Sequence, residues 1–166
     1  MGYYLEDTLT GERLPATISR LSTKEIALLD SSSRFDFEWK RQLQFEIYGL
    51  RLEHREEVIG LVSLECQPKN LAIEIKLIAN AREHLGAGKR YDRIAGSLIA
   101  FACQKSFELK FDGFVYLKPK TSIIRHYRQK YGFSDSGNNL FSDTNNSKHI
   151  IRKYYDAANE ERTEDH

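Results

Sequence analysis

The sequence predicts an α/β (α+β) fold in which a mixed, mostly antiparallel central sheet is flanked by helices. Two observations carry this expectation. The first half of the chain holds apolar runs that alternate with period two between short polar turns, the pattern of an antiparallel meander. The second half reads as strand, loop, helix, strand and helix, which is one β-α-β unit followed by a helix. At 166 residues the chain is about one domain by the usual ~150-residue scale. Its 40% hydrophobic content and three prolines suit a packed core rather than disorder. We read residues 1–156 as one domain and 157–166 as an acidic, solvated tail.

Taken in order, Thr8-Leu9-Thr10-Gly11-Glu12 is a turn, and Leu14, Ala16 and Ile18 alternate as a strand near the N-terminus. Ser22 and Glu25 form a capping box for a short helix that stops at Ser31-Ser32-Ser33. In Phe35-Asp36-Phe37-Glu38-Trp39 the rings alternate with charges, so they are expected to share one buried face. Runs around Phe45–Leu52 and Val58–Cys66 flank a charged turn and form a hairpin. In the next strand Leu71, Ile73, Ile75 and Leu77 should line one face, with Glu74 and Lys76 on the other. Residues 79–95 read as a polar, glycine-bearing loop, and Gly96 begins a helix that runs to Lys110. After the Asp112-Gly113 turn come a short strand at 114–117 and a helix capped by Thr121-Ser122 and ended by Gly132. A strand around Leu140-Phe141 and a helix over 147–155 complete the series.

Charge and cysteine content exclude several classes. Twenty-five basic against twenty-four acidic residues leave +1 overall, which does not suit a protein that coats long nucleic acid. The balance hides a segregation. Residues 1–81 carry ten basic and thirteen acidic groups (−3), residues 82–130 eleven and four (+7), and residues 131–166 four and seven (−3). Cys66 and Cys103 are too few for a disulfide framework and read as buried hydrophobes. No secretory pattern opens the chain and no apolar run has the ~20 residues of a membrane span, so a cytoplasmic protein with no membrane partner is expected. His54, His84 and His126 lack metal-ligand spacing, and no metal is expected.

Chemistry concentrates in the basic loop and the start of the following helix. Lys89, Arg90 and Arg93 lead into Ile94, Ala95, Gly96 and Ser97, where orphan N–H groups and the helix dipole can receive an anion. The small residues at 95–97 would let a phosphate approach the backbone. Neither G-x-x-x-x-G-K-[ST] nor G-x-G-x-x-G is present, which disfavours ATP and NAD loops.

These residues resemble the GNAT superfamily of acetyl-CoA-dependent N-acetyltransferases. Its loop pattern [QR]-x-x-G-x-[GA] is met by Arg90-Tyr91-Asp92-Arg93-Ile94-Ala95 at Arg90 and Ala95, with Arg93 in the glycine position. Residues 86–103 and the later Lys120-Thr121 and His126-Tyr127 are similar to small bacterial GNAT proteins. The resemblance implies a sheet of about six strands and acetyl-CoA as cosubstrate. It implies that backbone groups of Leu77, Ile78 and Ala79 hold the pantetheine arm. Lys89 and the stretch from Arg90 through Arg93, Ile94, Ala95 and Gly96 to Ser97 would hold the pyrophosphate. Lys120 stands where an asparagine often contacts the cofactor. Tyr127 matches the tyrosine that protonates the departing thiolate, although the usual Y-x-x-x-G-F spacing would fall on Arg128.

Acyl transfer also needs a base to deprotonate the amine, and Glu74 is the candidate, with Glu65 as rival. The expected partners are acetyl-CoA and an amine acceptor, in a possible homodimer. Two alternatives stand beside this reading: a non-catalytic CoA-binding module, and an interaction protein with a basic surface.

Overall fold

The computed structural model describes residues 2–81, 88–118 and 124–156. The first strands, β1 (Gly2–Asp7) and β2 (Arg13–Arg20), form a hairpin where one strand was expected. Its turn is set by Asp7, whose Oδ1 accepts the N–H groups of Leu9 (2.8 Å) and Thr10 (3.2 Å), with Gly11 at φ 74°. Helix α1 (Thr23–Ser32) follows. The capping box forms as expected: Glu25 N–H donates to Ser22 Oγ (3.2 Å) and Ser22 N–H to Glu25 Oε1 (3.1 Å). Asp30 near the end of α1 accepts the N–H groups of Trp39 (2.7 Å) and Lys40 (2.8 Å), which folds the next segment back. Phe35 and Trp39 are buried edge to face, whereas Phe37 is 40% exposed, so the three rings do not share a face.

The meander continues as β3 (Glu46–Leu52), β4 (Val58–Gln67) and β5 (Ala72–Asn80). A two-residue β6 (Tyr91–Asp92) precedes α2 (Ile94–Glu108), which starts two residues earlier than its apolar period suggests. Then come β7 (Val115–Leu117), α3 (Ile124–Tyr131), β8 (Ser134–Ser136), β9 (Asn139–Ser142), α4 (Thr144–Tyr154) and β10 (Tyr155–Asp156). Among the described residues all ten strands join one sheet, more than the six expected. The order is β10-β1-β2-β3-β4-β5-β7-β9-β8, with β6 also paired to β1, and β5–β7 is its parallel pair.

Each face of the sheet has its own core. Leu50, Val62, Leu64, Ile73 and Ile75 pack beneath α2, α3 and α4, around Leu98, Ile99 and Ile150. On the other face Ile47, Val58 and Leu61 pack against Ile26, Phe35 and Trp39. A β-bulge decides which residues of β5 face which core. Leu64 lies opposite Ile75 but Ser63 lies opposite Leu77, so Lys76 is the extra residue. The strict alternation expected for Leu71 to Leu77 therefore breaks. Ile73 and Ile75 face α2, Leu77 and Ala79 face the α1 side, and Leu71 lies outside the strand, 62% exposed in a left-handed conformation.

Candidate active site

Strands β5 and β7 pair only at Ile73↔Val115 and Glu74↔Tyr116, whereas β4 follows β5 as far as Asn80. Past Glu74 the parallel strands diverge, and among the described residues the backbone of β5 on that side pairs with no strand. The opening is a cleft of about 220 Å³ lined by Phe37, Ile75, Lys76, Leu77, Ile78, Leu117, Lys118 and Tyr127. Tyr127 reaches it from α3 and is only 6% exposed. Its hydroxyl has no hydrogen-bond partner among the described residues, and burial alone pushes its pKa up to about 12.

Beside this cleft Glu74 is buried, not on the solvated face that strand alternation suggests. Its Oε1 accepts the Tyr116 hydroxyl (3.2 Å) and the Gln67 amide (3.4 Å). Its Oε2 accepts Lys76 Nζ at 2.8 Å, and this bond is the main reason that the lysine pKa is raised. Glu65 lies farther from the same ammonium, at 3.8 Å.

A second pocket, about 150 Å³, lies at the start of α2 and is lined by Asn80, Lys89, Tyr91, Asp92, Arg93, Ile94, Ala95, Gly96, His126, Lys130, Tyr131 and Tyr154. No side chain caps α2, so its first N–H groups are left without a capping oxygen. Lys89 pairs with Asp92 at 3.1 Å. His126 and Lys130, one helical turn apart on α3, also line it, the lysine adding positive charge. Burial first, then Lys130 and Lys89, lowers the His126 pKa. Tyr131 is 4% exposed, and burial together with Tyr154, Tyr127 and Asp92 raises its pKa.

The remaining expected residues have structural partners. Arg90 bonds Asp7 of β1 at 2.9 Å. Ser97 is buried, its hydroxyl donating to the Arg93 carbonyl at 2.7 Å. At Gly96 the Tyr154 ring lies where a side chain would be: a Cβ there would come within 2.1 Å of Tyr154 Cε1. Lys120 lies outside the described residues.

The overall fold is shared with solved acetyltransferases. A spermidine N-acetyltransferase chimera from Vibrio cholerae and the human enzyme superposes with a TM-score of 0.60 at 17% identity, over 81% of this chain and 98% of that one. The V. cholerae spermidine/spermine N-acetyltransferase SpeG gives 0.56 at 18% identity, over 82% and 96%. The toxin AtaT, solved with acetyl-methionyl-tRNAfMet, gives 0.54 at 15% identity, over 82% and 99%. The chain has the GNAT fold. No family model and no curated protein matches it.

Two positions depart from the GNAT motifs. Arg93, in the glycine position of the loop pattern, has φ 81°, in the left-handed region that glycine reaches most easily. On α3, Tyr127 lines the cleft, whereas Arg128 is exposed and pairs with Asp135. The tyrosine one position early is therefore the one at the opening. Phe37, Lys118, His126 and Lys130 were missed as pocket residues by sequence reading. The four-residue spacing of His126 and Lys130, two basic groups on one face, was the available signal.

Proposed function

We propose that this chain is an acetyl-CoA-dependent N-acetyltransferase acting on a primary amine. The observation that carries the reading is the divergence of β5 from β7, with Tyr127, 6% exposed, lining the opening and its hydroxyl without a hydrogen-bond partner among the described residues. The likeness to acetyltransferase structures supports it at the level of fold.

The edge of β5 at Leu77, Ile78 and Ala79 on the side away from β4 would hydrogen-bond the pantetheine amides, since among the described residues no strand pairs with it there. The start of α2, with Lys89, would receive the pyrophosphate, to which His126 and Lys130 add charge. An amine is mostly ammonium at neutral pH and must lose a proton before its nitrogen attacks the thioester carbon. Glu74 is the base in this reading, oriented by Lys76 and Tyr116. The N–C bond forms as the C–S bond breaks, and Tyr127, protonated at neutral pH because its pKa is about 12, gives its hydrogen to the leaving sulfur. The proton taken by Glu74 returns to solvent and the tyrosine is reprotonated.

Thermal-shift titration with acetyl-CoA, CoA and ATP tests the cofactor. Stabilisation by both CoA forms and not by ATP is expected, and absence of a shift with either CoA form overturns the reading. Thiol release across a panel of amines then tests the chemistry. Release no faster than hydrolysis with every amine would leave a CoA-binding module in place of an enzyme.

A further inference from the structure

From the contacts of Arg93 we infer that this residue is a positioning residue for the cofactor pyrophosphate, acting as a brace through its side chain and not as a direct phosphate ligand. The inference rests on the cofactor reading above. Arg93 Nε donates to the Tyr4 carbonyl of β1 (3.2 Å), and its Nη2 to the Lys153 carbonyl of α4 (2.6 Å). The guanidinium lies 4.0 Å from the centroid of the Tyr4 ring and 4.8 Å from that of Tyr154. One planar cation thus ties β1, α4 and the start of α2 together, with two of its five N–H donors bonded to the carbonyls of Tyr4 and Lys153.

Neighbouring contacts hold the same segment from both sides. Asp92 and Tyr91 pair with Glu6 and Asp7, and Thr8 N–H donates to the Arg90 carbonyl at 2.9 Å. The backbone at Arg93 is left-handed, a conformation disfavoured for a residue with a Cβ. Glycine would reach that conformation without cost but could make none of the side-chain bonds. Arginine at this position therefore exchanges backbone ease for a cross-link that fixes where the N–H groups of Ile94, Ala95 and Gly96 point.

The test compares wild type with Arg93→Gly and Arg93→Lys, each verified as folded by thermal melting. Calorimetry measures binding of CoA and of pantetheine, which lacks the pyrophosphate, and hydrogen exchange follows the peptide covering residues 91–97 without ligand. For both variants we expect CoA binding about tenfold weaker or more, pantetheine binding within about twofold of wild type, and faster exchange in that peptide. Lysine fails in this scheme because it cannot fork between two carbonyls while stacking on two rings. Full CoA affinity in Arg93→Gly overturns the brace, and rescue by Arg93→Lys identifies a direct charge contact instead. Should Arg93→Gly not fold, Tyr4→Leu replaces it, with the same selective loss expected and unchanged CoA affinity counting against the brace. If CoA fails to bind wild type, the cofactor reading itself falls, whereas loss of exchange protection in Arg93→Gly still reports the brace.

Discussion

The Tyr154 ring of α4 lies so close to Gly96 of α2 that a Cβ on the glycine would sit 2.1 Å from Cε1 and 2.2 Å from Cζ. The ring occupies the space that a side chain at position 96 would need. Gly96→Ala should therefore destabilise the protein by about 1–3 kcal/mol, through displacement of a packed ring. Chemical denaturation measures this. If the ring is the cause, adding Tyr154→Leu should recover part of the loss, and a fully additive pair would refute the assignment.

Tyr127→Phe should separate chemistry from folding. The hydroxyl has no partner among the described residues, so its removal should leave the denaturation midpoint close to that of wild type. Amine-dependent thiol release should fall by about a hundredfold or more if the hydroxyl is the acid. Unchanged turnover would remove Tyr127 from the mechanism.

Alkali should destabilise the protein through its buried acids, Tyr127 and Cys103 among them. Burial pushes the Tyr127 hydroxyl from its ordinary value of 10.0 and the Cys103 thiol from 9.0, each up to about 12. The unfolded chain releases these protons first. Stability is thus fully present below about pH 9 and is lost as pH rises toward about 12. Denaturation midpoints at several alkaline pH values should show this slope, which should become shallower in Tyr127→Phe and in Cys103→Ala.

Lys76→Met isolates the carboxylate beside the cleft. The Glu74 side chain is 5% exposed and would lose its 2.8 Å ammonium partner, keeping only the Tyr116 and Gln67 donors. A cost of about 1–3 kcal/mol is expected from urea titration. The double variant with Glu74→Gln should be more stable than Lys76→Met alone, because the amide does not bury a charge.

Cofactor binding should depend on pH through His126. Its pKa lies below the ordinary value of 6.5, so the ring is mostly neutral at pH 7. A phosphate bound beside it would raise that pKa, and binding would take up a proton. CoA affinity should accordingly rise as pH falls from about 7.5 to 6, as calorimetry in buffers of different ionisation enthalpy can measure. In His126→Ala the linked proton uptake should disappear.

The legible parts of this fold are the local ones. The capping box at Ser22 and Glu25, the β3–β4 hairpin and the apolar period of α2 each act within a few residues, and each forms as expected. The bulge at Lys76 depends on register with β4, which single-strand alternation does not encode, so Leu77 was assigned to the wrong face. Strands β6 and β10 have two residues each, too few to show a period. At the candidate site, Tyr127 and the start of α2 were recognisable from motif and helix chemistry. The role of Arg93 was not, because its carbonyl partners lie 89 and 60 residues away in sequence.

Pairing of β1 with β10, at Gly2↔Asp156 and Tyr3↔Tyr155, has a consequence for biosynthesis. Tyr154 reaches the pocket at the start of α2 from the helix that leads into β10. While a ribosome is still adding α4, the meander can already be folded, but this pocket lacks one of its walls. A nascent chain stalled before Tyr154 therefore carries an unfinished pocket, and a ligand of that pocket can assist folding only after α4 has emerged.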